Sequence, residues 1–142
     1  MQWINPRSPN VPAKSVFVTQ GTMDAASPAI GNDAASAAGL VPQVYPIAKA
    51  SEAHQLRGIT PVNLPVKGNV DLGNGESVTV AMRAWQGGSH FVAFDAPDAR
   101  AMWRHFIYTA AYGDGAELDT GTAVVTRQAP VSAADACADC GG

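Results

Sequence analysis

The chain has 142 residues, enough for one domain with a full core. Only 15% of them are charged, against about a quarter in a typical globular protein. The net charge of −3, the pI near 5.4 and the scattered Lys and Arg residues leave no basic stripe, which argues against nucleic acid as a partner. No apolar run approaches the ~20 residues of a spanning helix, so no membrane segment is expected.

A free monomer keeps itself soluble with Lys, Glu, Asp and Arg. A chain short of these is either a low-charge soluble domain or one whose surface is covered by neighbours. Its opening, "MQWINPRSPNVP", has neither the basic start nor the apolar stretch of a secretory signal. The expectation is synthesis in a cytoplasm, with assembly, lysis or specialised export as the only ways out.

Residues 1–13 carry Pro6, Pro9 and Pro12 at a spacing of three. Proline fixes φ and lacks an amide donor, so this stretch reads as an extended N-terminal arm of polyproline character. Trp3 and Ile4 at its tip suit an arm that docks, on a neighbour or on its own domain. "SVFVT" (15–19) has the β-branched and aromatic composition of a strand. A long loop follows over 20–40, rich in Gly, Ala, Ser and Asp; "NDAASAAG" inside it reads as a short helix capped by Asn32 and stopped by Gly39.

Between 41 and 66, Pro42, Pro46, Pro61 and Pro65 break any long element. "SEAHQLRG" fits a short helix with Ser51 as its cap and Gly58 as its stop. Strands are expected at 69–72 and 76–85 around the turn Gly73-Asn74-Gly75. Along the second of these, Val78, Val80 and Met82 alternate with polar or small residues, the mark of a half-buried strand. "QGGS" then leads into "HFVAFD" (90–95), read as the return strand of a hairpin.

In "DAPDARAMWRHFIYTAAYGDG", Asp95, Pro97 and Asp98 are helix start signals. Ala99, Met102, Trp103, Phe106, Ile107 and Ala110 form one apolar stripe at helical spacing. A helix over 97–111 is therefore expected, the competing reading being a strand through 104–112. "TAVVTRQ" (122–128) reads as a closing strand, and 130–142 as a flexible C-terminal tail.

These readings give a β-rich α+β domain over 14–129. It is a small, mainly antiparallel sheet or sandwich with one amphipathic helix and extended arms at both ends. The expected core is Val78, Val80, Met82, Phe91, Phe94, Met102, Trp103, Phe106 and Ile107.

The only cysteines, Cys137 and Cys140, form a CxxC with just Gly141 and Gly142 behind it. A redox motif needs a helix starting at the first thiol, and none can start there. A structural zinc site needs two more ligands, and His54, His90 and His105 are poorly spaced for that. Idle thiols on a tail remain as one reading, and an intersubunit disulfide in an oxidising medium as the other.

Ser89 and His90 with Asp95 and Asp98 invite a hydrolase reading, but no nucleophile elbow surrounds Ser89. "GDGAELDTG" lacks the ligand pattern of a calcium loop, and the glycines of "GNG" and "QGG" read as hairpin glycines that do not cradle phosphate. No catalytic, cofactor or metal residues are assigned.

The functional expectation is a non-enzymatic structural subunit of a larger assembly, most closely a bacteriophage capsid decoration (cement) protein residing in the virion. It would bridge neighbouring shell subunits, with other protein subunits or further copies of itself as partners. A phage head–tail connector or tail component is the nearest alternative. A free cytoplasmic β-domain binding a small ligand or a protein through Trp85, Trp103 and Tyr108 is the next. An enzyme would have only His90, Asp95 and His105 to use.

Overall fold

The computed structural model describes residues 12–120. Most of the N-terminal arm, including Trp3, Ile4, Pro6 and Pro9, lies outside the described residues, as do the strand expected at 122–128 and Cys137 and Cys140 of the tail. Pro12 is described and exposed.

The fold mixes helices with three small sheets. The first strand, β1 (Val16–Gly21), pairs in parallel with β5 (Val80–Trp85) from Val16 opposite Val80 to Gly21 opposite Trp85. Between them come α1 (Ala29–Ala38), α2 (Glu52–Leu56) and the short strands β2 (Val66–Lys67), β3 (Val70–Asp71) and β4 (Ser77–Val78). After β5 follow α3 (Val92–Asp95), α4 (Pro97–Tyr112) and β6 (Glu117–Leu118). β3 and β4 form the antiparallel hairpin around Gly73-Asn74-Gly75, and β2 pairs antiparallel with β6.

Several expectations are corrected. The expectation of mixed helix and strand with small antiparallel sheets holds, but among the described residues helix outweighs strand, α1 and α2 join the one long amphipathic helix, and the sheets do not stack as a sandwich. The longest strand pairing is parallel and joins residues 64 positions apart. Residues 92–95 turn as helix and do not return as a hairpin strand. The helix of the Ala-rich segment starts at Ala29 behind Pro28, not at Asn32, and its C-cap is Gly39. Between α4 and the end of the described residues, Glu117–Leu118 forms β6, a strand the sequence reading does not anticipate.

Other signals act as their chemistry predicts. Pro97 occupies the first turn of α4, where its missing N–H costs nothing, and Asp98 sits in the same turn. The Ser51 hydroxyl accepts the His54 amide at the start of α2. Gly58 takes φ +62 just past that helix, a conformation glycine adopts without strain.

The β1–β5 pair divides the core in two. On one face Ala81 and Trp85 meet Met102 and Phe106 of α4 together with Val92, Ala99 and Leu118. On the other, Val80 and Met82 meet Val41 and Val78, with Val16 and Val18 against them. Of the predicted core, Val78, Val80, Met82, Met102 and Phe106 are buried, while Trp103 is half-buried. Phe91, Phe94 and Ile107 are not core: they are 59%, 62% and 55% exposed. The α4 stripe is wider than the sheet beneath it, so the flank carrying Ile107 overhangs.

Candidate functional site

The far edge of β5 is closed by other parts of the chain. Asn69 accepts the Val80 amide at 2.8 Å and donates its own amide to the Val80 carbonyl at 2.9 Å. Further along, Met82 donates to Pro42 and accepts from Val44. The side-chain amide and the 42–44 segment together stand in for a third strand.

The far edge of β1 differs. Val16 donates to Thr79 at 2.8 Å and Thr22 to Trp85 at 3.0 Å. In a parallel ladder this turns the even-numbered residues of β1 toward β5 and the odd-numbered ones away. The N–H and C=O groups of Phe17 and Thr19 therefore face outward, and no residue among those described pairs with them.

An apolar hollow lies on each side of this edge. The larger, of about 560 Å³, is walled by Phe17, Thr19, Phe94, Trp103, Phe106 and Ile107. The Phe17 and Phe106 rings meet at 5.6 Å and those of Phe94 and Trp103 edge-on at 6.2 Å, so its walls are braced. Trp103 is fixed by its indole N–H donating to the Ala93 carbonyl at 2.6 Å. The smaller hollow, of about 200 Å³, lies toward α1 between Val16, Val18, Ala35 and Val41.

A third hollow, of about 440 Å³, opens between α1 and α2, with Ile30 and Leu56 on its rim. Asp33 and Lys49 line it, and burial pushes the Asp33 carboxyl above its ordinary range, with Lys49 pulling the other way. Beside it the His54 ring is buried. Its Nε2 lies 2.9 Å from the Val41 carbonyl, which can only accept, so that nitrogen carries the proton. Nδ1 then accepts the Ser51 hydroxyl at 2.8 Å. Both groups are satisfied inside the protein, and the pair ties α2 to the chain after α1.

The residues that a hydrolase would need go to separate tasks. His90 pairs with Asp24 at 2.9 Å, and Ser89 reaches Asp95 at 3.5 Å. Asp98 accepts the Trp85 indole N–H at 2.8 Å. The buried His105 faces Glu117 at 3.9 Å. Asp24 is held below the ordinary carboxylate range chiefly by the Ser27 amide, with His90 and the Ala26 amide adding to it. Of Trp85, Trp103 and Tyr108 only Trp103 lines the large hollow, and the Tyr108 ring lies tilted against Tyr112 at 5.2 Å.

Among the described residues no cluster of His, Cys, Asp and Glu could hold a metal ion, and no helix is long and apolar enough to cross a membrane. Sequence reasoning missed Asn69 and the β1 edge. The surplus width of the α4 stripe was the available sign of the larger hollow. The chain matches no known family model, no curated protein and no solved structure.

Proposed function

We propose that the protein is a non-enzymatic assembly subunit that joins other protein chains, with the capsid decoration type as the specific form. The carrying observation is that a chain with so little charge also leaves large apolar side chains outside its core. Leu56 is 88% exposed, and Ile30 stands beside it on the rim of the α1–α2 hollow. Met23 and Tyr112 are similarly exposed.

Isolated exposed apolar residues are ordinary, but a concentration of them on a low-charge surface marks an interaction face. Burying one Leu or Ile side chain stabilises a contact by roughly 1.5–3 kcal/mol. The Ile30–Leu56 pair therefore contributes part of what holds a neighbour in a repetitive shell, where each contact is reinforced by many others.

The test is sedimentation of the tagged protein from its native source. The wild-type chain is expected in a particle fraction. A variant carrying Ile30→Asp and Leu56→Asp is expected to shift to the light soluble fraction with its melting temperature unchanged. A wild-type protein found only in the light fraction removes the proposal.

A further inference from the structure

We infer that the hollow between α1 and α2 receives an arginine side chain of the neighbouring protein chain, its stem lying on Ile30 and Leu56 and its guanidinium meeting the carboxylate of Asp33. The inference rests on the assembly reading for the class of partner and adds the chemistry by which that partner is recognised.

The first argument is the state of Asp33. It is only 6% exposed, yet it lines the hollow. Among the described residues its carboxylate forms no ion pair. Burial works against its charged form, and the pull of Lys49 and a bond from the Gln20 side chain offset that only in part. A buried carboxylate without a counter-charge is costly, and pairing with an entering cation offsets that cost. Among the described residues no group of His, Cys, Asp and Glu could hold a metal ion, so the cation is an organic one.

The second argument is a shortage of donors. Gln20, the residue that bonds Asp33, is 2% exposed and donates its Nε2 to the Ala29 carbonyl at 3.2 Å. Its Oε1 has no hydrogen-bond partner among the described residues. Asp33 and Gln20 together therefore lack N–H groups, not acceptors. A guanidinium carries several N–H donors in a planar fork, keeps its charge at any working pH and sheds water more readily than an ammonium. Arginine answers both deficits better than lysine does.

The third argument is the rest of the lining. Glu52 adds a second carboxylate against the ammonium of Lys49, which leaves the hollow acidic on balance. Lys49 is exposed, so its head can turn into water as a guest enters. The volume of about 440 Å³ lies within the range of roughly 300–1,000 Å³ that encloses small ligands. On the rim, Ile30 is 76% and Leu56 88% exposed. Arginine buries its methylene stem along such apolar surface while its head makes polar contacts. A rim this exposed needs more apolar cover than one free amino acid supplies, which favours a residue borne on a chain.

The experiment titrates the full chain with N-acetyl-arginine methylamide, followed by NMR, with the uncharged citrulline analogue of the same shape as control. Shifts are expected at the Ile30, Asp33 and Leu56 amides. The arginine compound should bind about tenfold tighter than the citrulline one, the scale of one hydrogen bond to a charged group. Asp33→Asn should abolish that difference, and removing a buried charge leaves the fold intact. Lys49→Ala should tighten arginine binding about two- to fivefold by removing a competing cation. In the sedimentation assay, Asp33→Asn should move the chain from the particle fraction to the light one.

Equal binding of the two compounds, no binding, or shifts confined to other parts of the chain overturns the inference. So does a preference for arginine that survives Asp33→Asn. An Asp33→Asn chain that stays in the particle fraction beside wild type overturns it too, and leaves the assembly reading standing. A wild-type chain found only in the light fraction removes the assembly reading, and the chain-borne arginine falls with it even where the titration succeeds. If Asp33→Asn fails to fold, the two compounds on wild type and on Lys49→Ala decide alone.

Discussion

Asn69 offers the sharpest test of how this sheet is held. Its side-chain amide replaces a missing strand, accepting the Val80 N–H at 2.8 Å and donating to the Val80 carbonyl at 2.9 Å. Val80 is fully buried. Replacing Asn69→Leu keeps the branched outline of the side chain but removes both hydrogen bonds to the Val80 backbone. Each unsatisfied buried group costs about 1–3 kcal/mol, so the variant should lose up to about 2–6 kcal/mol, a large share of the ~5–15 kcal/mol that holds a domain together. In urea unfolding, with a slope of about 1–3 kcal/mol per molar for a small protein, the midpoint should fall by about 1–3 M at unchanged slope. The exposed Asn63, replaced in the same way, should change stability by no more than ~0.5 kcal/mol. If Asn69→Leu behaves like the Asn63 control, the view that this amide completes the sheet is wrong.

Three further outcomes follow from the geometry. Gly21→Ala places a Cβ 2.2 Å from the Ser89 carbonyl and 2.3 Å from that of Gly88. The 86–89 turn must move, at about 1–3 kcal/mol or more by the cost of overpacking, and a thermal melt within error of wild type would contradict the close approach. Ser51→Ala removes the cap of α2 and leaves the buried His54 Nδ1 without its donor; about 1–2 kcal/mol should be lost in chemical denaturation, and a neutral result refutes the assigned tautomer and network. Asp33 and Asp24 should respond to pH with opposite sign. Burial raises the Asp33 pKa above its ordinary 3.8, so the folded state holds that proton more tightly, and Asp33's contribution to stability falls as pH rises through the window from 3.8 to the raised value. Asp24 is depressed, so its contribution is present above 3.8 and is lost as pH falls through its lowered value. Asp33→Asn should accordingly gain on wild type toward neutral pH, and the penalty of Asp24→Asn should shrink in acid; stability differences that stay flat from pH 2 to 7 would count against both.

Local chemistry was legible and long-range pairing was not. Pro97, Asp98 and the 3.6-residue apolar spacing specify α4 within a stretch of sequence that carries its own start signals. Ser51 and the Gly73-Asn74-Gly75 turn are equally local. The β1–β5 pairing joins residues 64 positions apart, and nothing in "SVFVT" or "SVTVAMRAW" states that they run in the same direction. The segment 90–95 misled for a related reason. His90, Val92 and Phe94 alternate with Phe91, Ala93 and Asp95 as a strand would, but Gly87 at φ +70 turns the chain, and Val92 is drawn against Gly88 into the α4 side of the core. One helical turn then leads directly into Pro97. Once Val92 alone is buried, Phe91 and Phe94 have no place inside.

The same reasoning accounts for where the candidate surfaces lie. Neither hollow beside β1 exists in any one segment: the larger draws its walls from β1, α3 and α4, and the smaller from β1, α1 and Val41. A sequence read element by element shows only surplus apolar residues, which look like core. Phe94 and Ile107 are that surplus, displaced because α3 and α4 together carry more apolar surface than one parallel strand pair can cover. Among the described residues, a sheet this narrow leaves the Ile107 flank of α4 without cover.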